Sequence, residues 1–274
     1  MTINKNKLEI MKDAARQAGD FILGAQHLTE SSTKANANDF VTVADVKSQN
    51  ILREVLRNNF SDKVVILSEE DPETEAKKVL EPNFTGFALD PIDGTYNFKR
   101  GMKESAISVG YIENGQSVAG VIYDVYKDEL FEAEQGKGAF LNGQPISVSS
   151  QKDLAGASVA TSNGYDYEAA VRNLQRQIAI YEQTGIMPWT SCPGSVVLAM
   201  VWIACGRIDA IHHTGFKPWD NAAAFVINQE AGAKIVTLGG EEARFADDKL
   251  VVGAPAIADQ LLEVFSELPA ELLQ

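Results

Sequence analysis

Apolar residues recur at three- and four-residue steps from the start of the chain. Leu8, Met11, Ala15, Ala18, Ile22 and Ala25 line one face of a predicted helix ending near Gln26. The segment from Glu30 to Asp39 loses that period and fills with Ser, Thr, Asn and Lys, so a mobile loop is expected there. Val46, Leu52, Val55, Leu56 and Phe60 restore the helical step and predict a second helix starting between Thr42 and Asp45. Val64 to Leu67 reads as a short strand that delivers Ser68, Glu69 and Glu70 at its end. The run from Phe84 to Leu89 reads as a buried strand, with a turn beginning at Asp90. After Ala106 the period drops to two, predicting strands over Ile107 to Ile112, Ser117 to Tyr123 and Glu129 to Ala133, with further turns between Gly136 and Gly143. These strands form an antiparallel meander packed on the two N-terminal helices.

A polar, strandless stretch from Ser149 to Gly156 marks a domain seam, dividing an N-terminal α+β domain (1–152) from a C-terminal α/β domain (153–274). Beyond the seam, strands are expected at Ser158 to Ser162, Ile208 to Ile211, Lys234 to Thr237 and Leu250 to Gly253. Helices are expected at Tyr167 to Tyr181, Ser195 to Cys205, Asp220 to Glu230 and Pro255 to Glu267. That alternation predicts a smaller α/β layer.

Composition narrows the function. With 274 residues and 45% hydrophobic content the chain can bury a sizeable core. No apolar run is long enough for a signal peptide or a membrane span. Cys192 and Cys205 read as reduced thiols of a cytoplasmic protein, and His27, His212 and His213 give no zinc spacing. The net charge of −14 argues against nucleic acid as the main partner. A phosphate site here must be made locally positive, by metal or by helix N-termini.

Acids stand at the expected element ends: Asp45 at a helix start, Glu69 after a strand, Asp90 and Asp93 after another, and Asp220 at a helix start behind Lys217, Pro218 and Trp219. Carboxylates converging on one point repel and raise each other's pKa. Divalent cations with oxygen ligands remove that penalty, so convergence implies metal.

Three stretches, Ser68-Glu69-Glu70, Asp90-Pro91-Ile92-Asp93-Gly94-Thr95-Tyr96-Asn97-Phe98 and Trp219 to Gly232, follow one another in a recognisable order and spacing. Together they resemble the inositol monophosphatase superfamily of magnesium-dependent, lithium-sensitive phosphatases, over the chain from the first helix to the last. The resemblance implies a layered αβαβα sandwich of mixed α+β and α/β character. It also implies a homodimer and two or three Mg2+ ions, with Mn2+ as a substitute.

By the same resemblance the metal ligands are Glu69, Asp90, Asp93, Asp220 and the main-chain carbonyl of Ile92. Amides around Gly94 and Thr95 hold phosphate oxygens, with Asp93 and Asp220 beside the substrate and a second contact from Gly194, Ser195 and Val196. Thr95 and Glu69 orient and deprotonate a metal-activated water, and Asp45 is bonded to the Thr95 hydroxyl. Lys34 matches a lysine of a mobile lid. The implied reaction is hydrolysis of a phosphate monoester of a small polyol or sugar, without a phosphoenzyme. Alternatives are relatives acting on fructose bisphosphate, bisphosphorylated nucleotides, NADP or histidinol phosphate, and a regulatory or binding protein that has lost turnover.

One position departs from the inositol-specific pattern. His213 stands seven residues before Asp220, where those members carry a glutamate that bonds substrate hydroxyls. A histidine there donates to a hydroxyl, meets an anion when protonated, or fills space beside Phe216. Tyr96 replaces a commoner threonine and leaves the expected ligands untouched.

Overall fold

The computed structural model describes residues 6–34, 39–60, 63–162 and 166–273. Helix α1 (Lys7–Gly24) buries Met11, Ala15, Ala18 and Ile22, as its period predicts. Strand β1 (Ser31–Thr33) pairs antiparallel with β2 (Phe40–Thr42), so part of the expected loop is a hairpin; residues 35–38 of that loop lie outside the described residues. Helix α2 (Val43–Asn59) starts on a capping box, in which the Thr42 hydroxyl and the Asp45 carboxylate each accept from the other's end of the turn. Its inward face differs from the expected one. Val46 is 43% exposed, whereas Asp45, Ser48 and Gln49 are buried with Leu52 and Leu56.

Next come β3 (Ile66–Ser68), α3 (Glu73–Ala76), β4 (Gly86–Asp93), α4 (Thr95–Arg100), β5 (Ala106–Glu113), β6 (Gln116–Asp124), β7 (Glu129–Glu134), β8 (Ala139–Leu141) and β9 (Gln144–Ile146). The seven strands form one sheet in sequence order, antiparallel except for the β3–β4 pair. Two expectations change here. The 136–143 region, read as turns, contributes β8, and the acidic motif from Asp90 to Asp93 continues β4 rather than leaving it.

The chain then runs through residues 149–156 to a second sheet. Its elements are β10 (Ser158–Ala160), α5 (Tyr167–Thr184), β11 (Trp189–Ser191), α6 (Val196–Ala204), β12 (Ala210–Thr214), α7 (Pro218–Glu230), β13 (Lys234–Thr237), β14 (Lys249–Gly253) and α8 (Pro255–Ser266). Strand order is β11-β10-β12-β14-β13, with β14 antiparallel to both neighbours and the other pairs parallel.

Period-two alternation sorts the strand residues into three cores. Phe87, Leu89, Val109 and Val121 face α1 and α2, joining Met11, Ile22, Leu52 and Leu56. Ala88, Ile122 and Phe131, on the opposite face of the first sheet, meet Leu198 and Met200 of α6, Ala222 and Val226 of α7, and Ile211 and Val252 of the second sheet. On the far face of that sheet Val159, Ala210 and Val251 pack on Ile180 of α5 and on Ile257, Leu261 and Phe265 of α8. Helix, sheet, helix, sheet and helix therefore stack as an αβαβα sandwich, as expected.

Helix α7 lies unusually close to the first sheet because small residues meet across the contact. A Cβ at Gly110 of β5 would fall 2.4 Å from the Ala222 Cβ, and one at Gly120 of β6 would fall 2.5 Å from the Ala223 carbonyl oxygen. This approach brings the N-terminus of α7, and Asp220 with it, to the edge of β4.

Candidate active site

A bulge in β4 sets the first two acids. Asp90 opposes Ser108 and Asp93 opposes Ala106, so β4 spends one residue more than β5 over the same span. Residues three apart on a regular strand point to opposite faces; the extra residue returns Asp93 to the face of Asp90. That face meets α7, whose Trp219 carbonyl accepts from the Ser108 hydroxyl at 3.2 Å. The bulge is closed by the Asp90 carboxylate accepting from the Ile92 amide at 3.0 Å, and by Ser48 of α2 donating to the Pro91 carbonyl at 2.9 Å.

Asp220, in the first turn of α7, completes the group. One carboxylate oxygen from each of Asp90, Asp93 and Asp220 lies within 4.8 Å of the others. Asp90 is held well above the usual carboxylate range by burial and then by the charges of Glu69 and Asp93. Asp220 is raised likewise, by burial and then Asp93. Asp93 is pushed up to about 7 by burial, against the pull of Ser195 and Val197. Among the ion pairs of the described residues, none joins these three acids to a lysine or arginine. Hard oxygen donors, crowded, buried and short of positive charge, fit a divalent cation such as Mg2+.

The start of α6 turns toward this group. Ser195, its N-cap, gives its hydroxyl proton to Asp93 Oδ2, and the Val197 amide donates to the same oxygen at 2.9 Å. Ser195 Oγ also accepts from the Leu198 amide at 3.1 Å. Asn97 ties the same place to α4, donating to the carbonyls of Glu104 and Pro193 at 2.8 Å each. Gly94 caps α4 in the left-handed region at φ +82°, where a Cβ would meet the Glu104 carbonyl at 2.9 Å.

Asp45 and Thr95 meet as expected. Thr95 Oγ1 lies 3.2 Å from Asp45 Oδ1 and 3.0 Å from the Ile92 carbonyl, two acceptors for one proton. Asp45 Oδ2 accepts from the Thr42 amide at 2.8 Å and from the Thr42 hydroxyl. Burial pushes its carboxyl up to about 6, against those bonds.

Glu69 stands just outside the three-acid group. Its Oε1 takes the Lys34 ammonium at 2.9 Å, and Glu70 Oε1 takes the same ammonium at 2.8 Å. Burial, then the Glu69 charge, pushes the Glu70 carboxyl up to about 8. Asp71 fixes this corner by accepting from Arg53 and from the Ser68 amide, at 2.5 Å and 3.0 Å.

His213 is packed inside the second layer, 3% exposed and edge-on to Phe216 at 4.9 Å. Asn173 Oδ1 accepts from the Thr214 amide and from Arg176, which orients its amide group and leaves Nδ2 to donate to His213 Nδ1 at 2.9 Å. Burial, then Arg176, pushes the imidazole down to about 3, so it is neutral at physiological pH and accepts the Asn173 hydrogen bond.

Sequence reasoning missed Ser48, Asn97, Asn173 and the bond from Ser195 to Asp93. Serine and asparagine carry no periodic signal, and each bonds a partner far along the chain.

A sequence profile of the Inositol monophosphatase family matches residues 4–270. The chain is 30% identical over 268 residues to Nus factor SuhB of Pasteurella multocida, covering 93% of this chain and 94% of that one. It is 30% identical over 261 residues to Inositol monophosphatase 1 of Solanum lycopersicum, covering 93% of each. Its fold superposes on an IMPase of Thermotoga maritima with a TM-score of 0.84 at 26% identity, over 98% of this chain and 100% of that one. Because the profile match spans every helix and strand from α1 to α8, the chain belongs to the inositol monophosphatase family.

Proposed function

We propose that this chain is a magnesium-dependent phosphomonoesterase acting on a small phosphorylated polyol or sugar. The family consists generally of magnesium-dependent phosphatases. The observation that carries the reading to this chain is the meeting of Asp90, Asp93 and Asp220 within 4.8 Å, where burial and mutual repulsion hold their carboxyls up. Those three acids, Glu69 and the Ile92 carbonyl would hold the ions. When bound, Mg2+ supplies charge neutralisation and lowers the pKa of water at the site.

The chain's own residues do the positioning. Asp45, held by Thr42, accepts the Thr95 proton and turns the Thr95 oxygen lone pairs toward an attacking water. Glu69 takes the proton of that water. Amides at Gly94 and Thr95, with the Gly194 to Val196 turn, receive phosphate oxygens, while Asp93 is fixed by Ser195 and Val197.

Phosphate release from a panel of esters, with and without Mg2+, tests this. Wild type should turn over only with Mg2+, and Asp93→Asn should lose about 100-fold or more while remaining folded, as removal of one charge-stabilising group does. A panel of inositol phosphates, fructose bisphosphate, bisphosphorylated nucleotides, NADP and histidinol phosphate, run beside His213→Glu, identifies the substrate. Lithium should inhibit at limiting Mg2+; activity indifferent to lithium counts against the metal arrangement. We further propose a homodimer in the cytoplasm. The described residues contain no helix long and apolar enough to cross a membrane.

A second reading rests on the name Nus factor SuhB carried by the Pasteurella multocida relative: a binding role in place of turnover. The net charge of −14 weighs against a nucleic-acid backbone as the surface bound. A folded wild type without turnover on any ester and without divalent metal binding would favour it.

A further inference from the structure

Lys34 directly follows β1, and its amide donates to the Asp39 carbonyl at 2.8 Å. That backbone tie fixes where the side chain starts. The hairpin itself is docked on α4, through Lys99, which donates to Ser31 Oγ at 2.7 Å and lies 4.1 Å from the Phe40 ring centre. From this base the Lys34 ammonium reaches Glu69 at 2.9 Å and Glu70 at 2.8 Å. Neither carboxylate is free in solvent: side-chain exposures are 20% and 5%, against 26% for the lysine. The ammonium thus sits on the acid that the proposed function gives to a metal ion.

We propose that Lys34 is a built-in competitor for the divalent cation at Glu69, an ammonium that holds the Glu69–Glu70 pair until the metal displaces it. The inference rests on the metal-binding role of Glu69 proposed above. An ammonium 2.9 Å from the Glu69 carboxylate repels a second positive charge placed on the same group and neutralises part of its attraction, so the two bindings are linked and each weakens the other. The pair is partly buried, so its loss should tighten the metal by several-fold, on the order of 3- to 10-fold for a contribution near 1 kcal/mol.

The test is calorimetric titration of Mn2+ into the full chain and into Lys34→Gln and Lys34→Met. Each substitution is repeated in a Glu69→Gln background. Tighter Mn2+ binding in both single variants, with the gain abolished when Glu69 is already Gln, is the expected result. Amine-reactive labelling gives a second readout, with Lys34 labelled faster after Mn2+ is added than before. Unchanged or weaker Mn2+ binding in both Lys34 variants overturns the competition. A gain that persists in the Glu69→Gln background also overturns it, since the effect is then general charge. Absence of Mn2+ binding by wild type overturns the proposed function and this inference together, which separates that failure from the others.

Discussion

Asp93 is the residue on which both halves of the chain act. Its carboxylate belongs to the acid cluster of β4, yet two donors from the start of α6 converge on one of its oxygens. Those donors favour the charged form against burial, and only the charged form binds a cation. Ser195→Ala removes one donor and the α6 cap together, costing about 1 kcal/mol in stability. It should also push Asp93 further up from about 7, so that Mg2+ affinity falls several-fold near pH 6.5 and recovers toward wild type near pH 8.5. Titrations at the two pH values check this. A deficit of equal size at both would mean that Ser195 only shapes the turn.

At the scale of elements, the approach of α7 to the first sheet is what delivers Asp220. Gly110→Ala and Gly120→Ala each place a methyl group 2.4 to 2.5 Å from Ala222 or from the Ala223 backbone, so the helix must retreat. We expect about 1–3 kcal/mol of destabilisation from such overpacking, measured by urea unfolding, with weakened Mg2+ binding because Asp220 moves with its helix. Wild-type stability in both variants would show that the contact is loose.

The elements legible in the sequence were those long enough to show a period, and the short strands β3 and β10, whose apolar residues lie in runs bounded by polar ones. Helices α1, α2, α5 and α8 and strands β5 to β7 appeared near their observed bounds. Strands β1, β2, β8, β9 and β11 were missed: each holds three residues, too few for alternation to register, and glycine, proline or polar residues lie in or beside them. Strand β4 was cut short because Pro91 and Gly94 read as a turn, whereas the bulge absorbs them into pairing with β5. On α2 the apolar Val46 was turned inward by pattern alone. The structure instead turns Asp45, Ser48 and Gln49 inward, where Asp45 and Ser48 bond Thr95 and the β4 bulge. The acids themselves were legible because they stand at element ends, and Thr95 was named as the partner of Asp45; the bonds from Ser195 and Val197 to Asp93 were not legible, because they cross from one layer to the next.

Over the whole molecule, the crowding of acids has a thermodynamic signature. Asp45, Asp93 and Glu70 are raised to about 6, about 7 and about 8, and Asp90 and Asp220 are held well above the usual carboxylate range, mainly by burial. Raised carboxyl groups bind protons more tightly in the folded than in the unfolded chain, whose carboxyls titrate near about 4. Between roughly pH 4 and pH 8 the metal-free fold therefore loses stability from these groups as pH rises. Its melting temperature should fall over that range, and saturating Mg2+ should flatten the slope by replacing the protons. A metal-free protein whose melting temperature rises steadily from pH 5 to pH 8 would contradict the burial of uncompensated acids.

If the reading of the site is right, Asp90, Asp93 and Asp220 share a cation. Anomalous diffraction from crystals grown with Mn2+ reads it directly. An anomalous peak is expected among the carboxylates of those three residues, about 2.0 to 2.3 Å from their oxygens, as a hard divalent ion requires. Crystals that take up Mn2+ elsewhere, with no density among the three acids, would contradict it.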